Sequence, residues 1–226
     1  MNEETRKISA ERVPLSRGRV LRCAVGVADE SGIGAVTMRS LAQALNTKPM
    51  SLYHYVANKS EILDGIIDIV FSEIETPSDR GGWRSEMSRR AASVRQVLGR
   101  HSWAIGLLES RTSPGPATLQ HHNATLGTLR RAGLSVKSAA HAYALLDSYI
   151  YGFALQEAAL PLSGPEPVAE VAAPMVEMFA GGAYPYLFEI ATEHVLQPGY
   201  NFGDEFDIGL GVILDAVEGW ITVDGE

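Results

Sequence analysis

Apolar side chains recur every three or four positions along most of the chain, and no stretch alternates apolar and polar residues between turn signals. This spacing is typical of helices that bury one face, and it gives no support for strands. In residues 16–31, for example, Leu21, Ala24 and Ala28 share one side of a helix, whereas Arg22 lies off it. We therefore predict an all-α chain.

Start and stop signals divide the first third of the chain into four predicted helices. Gly32 ends the first, and Thr37 is a plausible N-cap for the second. Pro49 suits the first turn of the third, and Asn58, with Glu61 three residues later, forms a capping box that starts the fourth. The predicted bounds are 16–31 for the first helix, 49–55 for the third and 59–74 for the fourth.

Clusters of proline and glycine break the rest of the chain into further helices. The breaks fall at residues 76–82, 113–116, 161–167, 181–185 and 197–199. The helical stretches between them are predicted at 83–100, 103–109, 117–132, 137–159, 168–180, 186–195 and 202–221. We expect an N-terminal tail over residues 1–15, a small helical module over 16–60 and a larger helical domain over 61–226.

The composition is that of a globular protein, with 46% hydrophobic and 20% charged residues and a mean hydropathy of zero. The sequence has no membrane-length apolar run and no signal-peptide core at its start, so we expect a cytoplasmic protein. The single cysteine, Cys23, cannot form an internal disulfide and is expected to fill space in a core.

The net charge of -8 conceals a split between the two ends of the chain. Residues 1–59 contain nine Lys or Arg against five acidic residues, a balance of +4, whereas the remainder has 10 basic and 22 acidic residues, a balance of -12. A basic module on an acidic body would present one face to phosphates and repel them elsewhere. This asymmetry also fits an ordinary solvated surface, so it favours a nucleic-acid partner only weakly.

Residues 37–56, TMRSLAQALNTKPMSLYHYV, have the spacing of a helix-turn-helix: a helix, a turn of about four residues and a short second helix. In such a unit the first helix braces across the DNA backbone while the second enters the major groove. The apolar residues expected to fix the crossing angle are Leu41, Ala42, Leu45, Leu52 and Val56. The residues left to face a polar partner are Arg39, Lys48, Ser51, Tyr53, His54, Tyr55 and Lys59. Two short helices of a purely structural bundle remain an alternative interpretation.

The run IGAVTMRSLAQALNTKPMSLYHYVANKSEILDGI resembles the DNA-binding domain of the TetR family of bacterial repressors, and the match covers residues 16–70. The segments AGLSVKSAAHAYALLDSYIYGFALQE and FDIGLGVILDAVEGWI resemble, more loosely, the regulatory domain of the tetracycline-repressor branch. The resemblance implies a DNA-binding domain over 16–60 and a ligand-binding and dimerisation domain over 61–226. It also implies a repressor that binds a palindromic operator as a homodimer and is released by a small-molecule effector.

The resemblance also assigns roles within the DNA-binding module. Arg39 occupies the place from which the family often reaches a guanine edge, and its fork of donors suits that contact. Tyr53 and Lys59 match residues that donate to phosphates, while Tyr55 stands where the family usually has histidine. Residues at the start of the recognition helix are expected to make base or methyl contacts; these are Pro49, Met50 and Ser51. For Tyr53 and Tyr55, packing on the three-helix core is the alternative role.

The last predicted helix carries a heptad-like stripe suited to packing against another helix. Its residues are Phe206, Leu210, Ile213, Val217 and Trp220, and Tyr149 and Phe153 add an aromatic face from an earlier helix. We expect these residues to form the interface of a two-fold dimer, which would set two recognition helices about 34–36 Å apart. Packing of the stripe inside one protomer is the alternative.

The middle helices are expected to enclose the effector, because the family's switch is driven from there. Tyr143, Asp147 and Tyr151 lie at i, i+4 and i+8 on one helix and could offer polar groups to an apolar cavity. Further candidate wall residues are Trp103, Thr112, His121, Met175, Met178 and Phe179, and core filling or exposure is the alternative for each. Glu109 and Glu75 align at or near positions where the tetracycline branch has histidines, so we do not expect tetracycline to be the effector.

Sequence motifs of common enzymes are absent, including the P-loop, zinc-protease, serine-hydrolase and C-x-x-C patterns. A bundle metal site from Glu157, Glu189, Glu193 and His194 is the remaining enzymatic possibility, but it lacks the paired Glu-x-x-His repeats of di-iron bundles. We therefore expect no enzyme, no cofactor and no bound metal. A small-molecule sensor without specific DNA binding is the alternative from another class.

Overall fold

A computed structural model describes residues 14–108, 110–160 and 176–224, with side chains to residue 221. Within these ranges the chain is helical and has no strand, which confirms the predicted all-α class. The α-helices are α1 (Arg17–Ser31), α2 (Met38–Ala44), α3 (Pro49–Leu52), α4 (Lys59–Glu73), α5 (Trp83–Arg100), α6 (Pro116–Arg131), α7 (Val136–Ala159), α8 (Pro185–Ile190) and α9 (Glu205–Asp224). Short 3-10 turns span Ile33–Ala35, Ser102–Ala104 and Phe202–Asp204, and a π-helical turn spans Ala191–Val195.

The predicted start signals of the N-terminal helices are confirmed by their capping contacts. The Thr37 hydroxyl accepts from the backbone N–H of Ser40, whose own hydroxyl accepts from the backbone N–H of Thr37, each at 3.0 Å. Asn58 accepts from the N–H of Glu61 at 2.9 Å, and the Glu61 carboxylate accepts from the N–H of Ala57 at 2.7 Å. That backbone hydrogen bond, with a second from Arg17, lowers the pKa of Glu61. Local chemistry thus fixes where these helices begin.

Two hydrophobic clusters organise the described residues, and α4 contributes to both. Ile62 and Ile66 belong to the N-terminal cluster, built with α1, α2 and α3. Ile67, Val70 and Phe71 belong to the C-terminal cluster, built with α5, α6, α7 and α9. A single continuous helix therefore joins the small module to the larger body. The domain bounds predicted from the sequence stay a prediction.

Several predicted helices differ from the structure at their ends. The segment predicted as helix 103–109 is a 3-10 turn followed by hydrogen-bonded turns, with the N–H groups of Leu107 and Leu108 both bonded to the Ala104 carbonyl. The third helix is four residues long, and residues 53–55 continue it as a turn. Residues 176–179 are helical, while the rest of the predicted helix 168–180 lies largely outside the described residues.

Candidate functional sites

The helix-turn-helix is held from inside by buried apolar residues of α2, α3 and the turn after α3. Leu41, Leu52 and Val56 are at most 1% exposed, and Ala42 is also buried. Asn46 in the turn between α2 and α3 adopts a left-handed backbone with φ of 48°, which asparagine tolerates better than most residues. The crossing of α2 and α3 is thus set by packing, and their polar side chains lie outside.

The predicted DNA-contacting residues lie mainly on the surface of this module. Met50 at the start of α3 is 73% exposed and Tyr53 is 48% exposed. The remaining exposed members are Arg39, Lys48, Pro49, His54 and Lys59. Within the part of the chain that the structure describes, Arg39, Lys48 and Lys59 have no ion pair or hydrogen-bonded side-chain partner. Their charges are available to phosphates or bases.

Two of the predicted contacts, Ser51 and Tyr55, are only half-exposed. Tyr55 packs against the N-terminal cluster, as its alternative role required. Its ring therefore has a structural function whether or not its hydroxyl reaches DNA.

The carboxylates of α4 attach this helix to the C-terminal body, a feature that the sequence analysis missed. Asp64 accepts from Arg111 Nε at 2.6 Å, and Asp68 accepts from the N–H and hydroxyl of Thr118 at 2.9 and 3.0 Å. Glu73 accepts from Arg100 at 2.8 Å. A row of acidic residues along one helix was visible in the sequence, but the residues it binds lie 27 to 50 positions away.

A second contact joins α1 to the turn after α5. Asp29 Oδ1 accepts from the indole Nε1 of Trp103 at 2.7 Å and lies 2.7 Å from His101 Nδ1. Trp103, predicted as a pocket wall, packs where the two hydrophobic clusters meet and lines a groove of about 490 Å³ together with Asp29 and Leu155. Thr112, another predicted wall residue, is exposed on the surface and lies outside the core of the body.

A buried polar cluster lies where α5, α6 and α7 meet. Arg90 is 1% exposed; its Nη2 donates to Asp147 Oδ1 at 2.5 Å and its Nε donates to His121 Nε2 at 3.0 Å. Tyr151 donates to the other oxygen of Asp147 at 3.4 Å. The structure therefore brings together three of the predicted pocket residues, Asp147, His121 and Tyr151, around an arginine that the sequence analysis missed. The signal was available, because Arg90 lies in register with the apolar residues Met87 and Val94 of α5.

The other predicted pocket residues are spread over the body. The Tyr143 hydroxyl lies 2.5 Å from His122 Nδ1, next to the buried cluster. Met178 is 68% exposed, which places it on the surface and corrects its assignment to a pocket wall within this chain. Phe179 is half-buried and its ring meets that of Tyr184 edge-on. Met175 and Glu109 lie outside the described residues.

Burial and the neighbouring Arg90 and His122 lower the pKa of His121 from 6.5 to about 3. The unfolded chain therefore takes up a proton at this side chain below pH 6.5, whereas the folded chain remains neutral there until about pH 3. Stability contributed by the neutral imidazole is fully present above pH 6.5 and is lost as the pH falls through this window.

Between pH 6.5 and 4.5, we expect the unfolding free energy of the wild-type protein to fall faster than that of His121→Asn. The difference should be up to about 1.4 kcal/mol for each pH unit. Urea denaturation of both proteins at several pH values checks this, and because the other histidines are common to both proteins, the difference reports His121. Parallel pH profiles of the two proteins would contradict a neutral, buried His121.

The stripe predicted to form a dimer interface packs instead inside the protomer. Phe206 and Val217 are 1% and 0% exposed in the single chain, and Leu210 is also buried. The Phe206 ring stacks on Tyr149 with centroids 5.6 Å apart and meets Phe153 edge-on at 5.1 Å. The prediction of an intersubunit seam is therefore wrong for these stripe residues, because α7 already covers them. Ile213 and Trp220 are only partly buried against the same cluster.

The opposite face of α9 is apolar and uncovered in the single chain. Ile208 and Val212 are 64% and 66% exposed. Beside them, α7 and α9 border a groove of about 440 Å³. Its lining includes Ser148, Gly152, Gln156, Ile208 and Gly209.

The described residues contain no group of three side chains placed to hold a metal ion. Glu157, part of the metal alternative, is paired with Arg95 at 2.5 Å, and His194 lies 3.0 Å from Glu205. None of the described helices is both long and apolar enough to pass through a bilayer.

The family model and the known proteins that match this chain agree with one another. Residues 76–220 match the family model of the tetracyclin repressor-like C-terminal domain. The HTH-type transcriptional repressor DrrR1 of Streptomyces coeruleorubidus is 32% identical over 213 residues, which cover 90% of this chain and 77% of that protein. The tetracycline repressor protein class A from transposon 1721 of Escherichia coli is 30% identical over 149 residues, covering 64% of this chain and 68% of that protein.

Among solved structures, that of ActR from Streptomyces coelicolor in complex with actinorhodin is similar over 95% of this chain and 100% of that one, with a TM-score of 0.76 and 27% identity. A helix-turn-helix on a larger helical body, with relatives of this kind, defines a helical transcriptional regulator. The chain belongs to the TetR family, as its helix-turn-helix motif predicted.

Proposed function

We propose that this protein is a ligand-responsive transcriptional repressor that binds operator DNA through residues 16–60 and senses a small molecule through residues 61–226. The observation that carries the proposal is the exposed α3 on a module with its own core. It is flanked by Arg39, Lys48 and Lys59, whose charges have no partner among the described residues. The names of its relatives, a transcriptional repressor and tetracycline repressors, support the same function.

On DNA, Arg39 reads a guanine edge from α2, while Met50 at the exposed start of α3 contacts bases or thymine methyl groups. Tyr53 and Lys59 bind phosphates, which fixes the register of the module without reading sequence. Lys48 and His54 add positive or polar contacts at either end of α3. The acidic body faces away from the duplex.

A symmetric homodimer would present two such modules to a palindromic operator. The face supporting this is the uncovered apolar side of α9, with Ile208 and Val212, beside the groove along α7. The segment of α8 adds further exposed apolar side chains, which are Tyr184, Tyr186, Leu187 and Ile190. Exposed apolar side chains in such number favour an interaction site.

The switch acts through α4, which carries Lys59 at one end and reaches the body at the other. Phe71 of α4 lies with its ring centroid 5.5 Å from that of His121, at the edge of the buried polar cluster. A ligand that repacks this cluster would press on Phe71 and shift α4 against its anchors at Asp64 and Asp68. The DNA-binding modules of a dimer would then leave operator register.

The effector is proposed to be a small molecule other than tetracycline, because Glu109 and Glu75 stand at or near the positions where the tetracycline branch has histidines. The related ActR has been solved in complex with actinorhodin, which supports a small-molecule ligand for this chain. We assign no catalytic activity, cofactor or metal to the chain, and we place it in the cytoplasm because operator DNA is there.

The test is selection of duplexes from a random-sequence pool by the full-length protein, followed by affinity measurements across salt concentrations. We expect enrichment of a palindrome and a steep linear fall of log K with log salt, because bound phosphates release counterions. If no sequence is enriched and no salt-dependent binding is found, the protein is a sensor without specific DNA binding.

Two variants separate base reading from phosphate binding. We expect Arg39→Ala to reduce discrimination between selected and mutated duplexes by about 1–3 kcal/mol. Lys59→Ala should weaken binding to all duplexes alike and reduce the salt slope by about one. Equal loss of discrimination from both variants would contradict the roles assigned. Both side chains are exposed, so circular dichroism should show unchanged folding.

A further inference from the structure

A groove of about 490 Å³ lies where the N-terminal module meets the larger body, away from both α3 and the buried polar cluster. Its walls come from the end of α1, from the turn after α5 and from the last turns of α7. The lining includes Asp29, Ile33, Trp103, Ile105, Leu155 and Ala158. The volume is within the range of small-molecule sites, which is roughly 300–1,000 Å³.

The walls of this junction groove are largely apolar. Leu155 of α7 is 57% exposed, although it is a large apolar side chain on a helix that packs into the core. Trp103 and Ile105 are partly buried against the C-terminal hydrophobic cluster and keep part of their surface open. An apolar cleft with a few polar groups is the usual form of a small-molecule site. The groove therefore offers apolar surface to an amphipathic ligand.

Three helices end at the junction groove, and this gives it a negative potential. The groove is lined by residues from the C-terminal ends of α1, α5 and α7, and such ends carry partial negative charge. The last turns of α1 and α7 contain no basic residue that would offset it. Arg100 ends α5, but its guanidinium donates to Glu73 at 2.8 Å. The helix ends therefore favour a cation in the groove.

Asp29 adds a carboxylate to the same surface. Its Oδ1 accepts from Trp103 Nε1 at 2.7 Å and lies 2.7 Å from His101 Nδ1. Its Oδ2 has no hydrogen-bond partner among the residues that the structure describes, and the side chain is 31% exposed. Even with His101 protonated, Arg100 and His101 only balance Asp29 and Glu73, so the helix ends keep the potential negative.

We propose that the junction groove binds a small organic cation. Its ammonium group donates to Asp29 Oδ2, and its aromatic or aliphatic part packs against Trp103 and Leu155. An anion would be repelled by the helix ends, and an uncharged ligand would leave Asp29 Oδ2 without a charged partner. This site goes beyond the proposed function, because it is separate from the body's effector site and is bounded by both the module and the body.

The experiment compares two probes of the same length, 4-phenylbutylamine, which is a cation at pH 7, and uncharged 4-phenylbutanol. Binding is followed by NMR on full-length protein labelled with 15N-tryptophan. We expect the amine to bind about 10-fold more tightly, the ratio for one hydrogen bond to a charged group. The indole resonance of Trp103, identified by its absence from Trp103→Phe, should shift, and those of Trp83 and Trp220 should stay in place.

A first variant tests the charge of Asp29. Asp29→Asn keeps an acceptor for the Trp103 indole but removes the carboxylate, so the preference for the amine should fall to about twofold or less. Asp215→Asn removes the same charge at an exposed residue outside the groove and should keep the preference. This control excludes a general attraction of the cation to a chain of net charge -8.

A second variant fills the groove with a charge of its own. Leu155→Lys places an ammonium group in the groove, which should weaken binding of the amine about 10-fold or more by repulsion and occupancy. Leu119→Lys, at a leucine of α6 that is 55% exposed and lies outside the groove, is the matched control and should bind as wild type. Both leucines are exposed, so this comparison remains decisive if Asp29→Asn does not fold.

Three results would overturn the proposal: equal affinities of wild type for the two probes, an unmoved Trp103 resonance, or the same amine affinity in Leu155→Lys and Leu119→Lys. Amine binding that ignores the groove variants would place the cation elsewhere, for instance in the body. No DNA is present in these measurements. Their outcome is therefore distinct from that of the duplex selection, which tests the repressor function.

Discussion

Replacing Asp147 by leucine is expected to lower the unfolding free energy by about 3–5 kcal/mol, the largest effect of any single substitution considered for this chain. The reason is that Arg90, 1% exposed, would keep its charge without its carboxylate partner. An arginine cannot relieve this by losing a proton. The measurement is urea denaturation at pH 7 and fixed protein concentration.

The reciprocal change Arg90→Met should also lower the unfolding free energy, because it leaves the buried Asp147 without its guanidinium partner. The double variant Arg90→Met with Asp147→Leu is expected to recover most of the loss, since it buries no charge. The exposed pair of Arg84 and Asp215, 2.7 Å apart, is the matched control, and Asp215→Leu should cost less than about 1 kcal/mol. Similar small losses at both pairs would show that Arg90 reaches another partner or water.

The sequence predicted features that depend on neighbours in the chain. Thr37 and Asn58 cap their helices, and Gly32 ends α1 with φ of 76°, because each of these effects is decided within about four residues. The exposed side of the helix-turn-helix followed from the same local periodicity. In this module, the helix ends and the exposed side that the local sequence predicts are also the ones that the tertiary packing requires.

Features that depend on distant residues were not predictable in this way. The stripe with Phe206 and Val217 shows that one face of α9 is buried, but its spacing is the same whether a partner subunit or α7 covers it. The structure assigns this face to α7, and Arg95 adds to the packing with its guanidinium 4.8 Å from the Phe206 ring centroid. Arg90 was missed for a related reason: its register with Met87 and Val94 indicates the buried face of α5, but an arginine is expected on the surface until its partners, 31 and 57 positions away, are known.

The second large expected effect concerns the exposed side of α9, which we propose as the dimer face in place of the buried stripe. The variant with both Ile208→Glu and Val212→Glu should sediment as a folded monomer, because a two-fold axis would bring four added carboxylates into one apolar contact. Operator affinity should fall by about 100-fold or more, since two linked modules no longer bind in one event.

The control for this variant is Val136→Glu, which adds a charge at an exposed apolar residue at the opposite end of α7 from the groove. It should stay dimeric and keep its affinity for the operator. Sedimentation and DNA binding are measured at the same protein concentrations, with circular dichroism to verify folding. A dimeric double variant would place the interface elsewhere, for instance on the exposed side chains of α8. A monomer with undiminished operator affinity would separate DNA binding from dimerisation and remove the need for a palindrome.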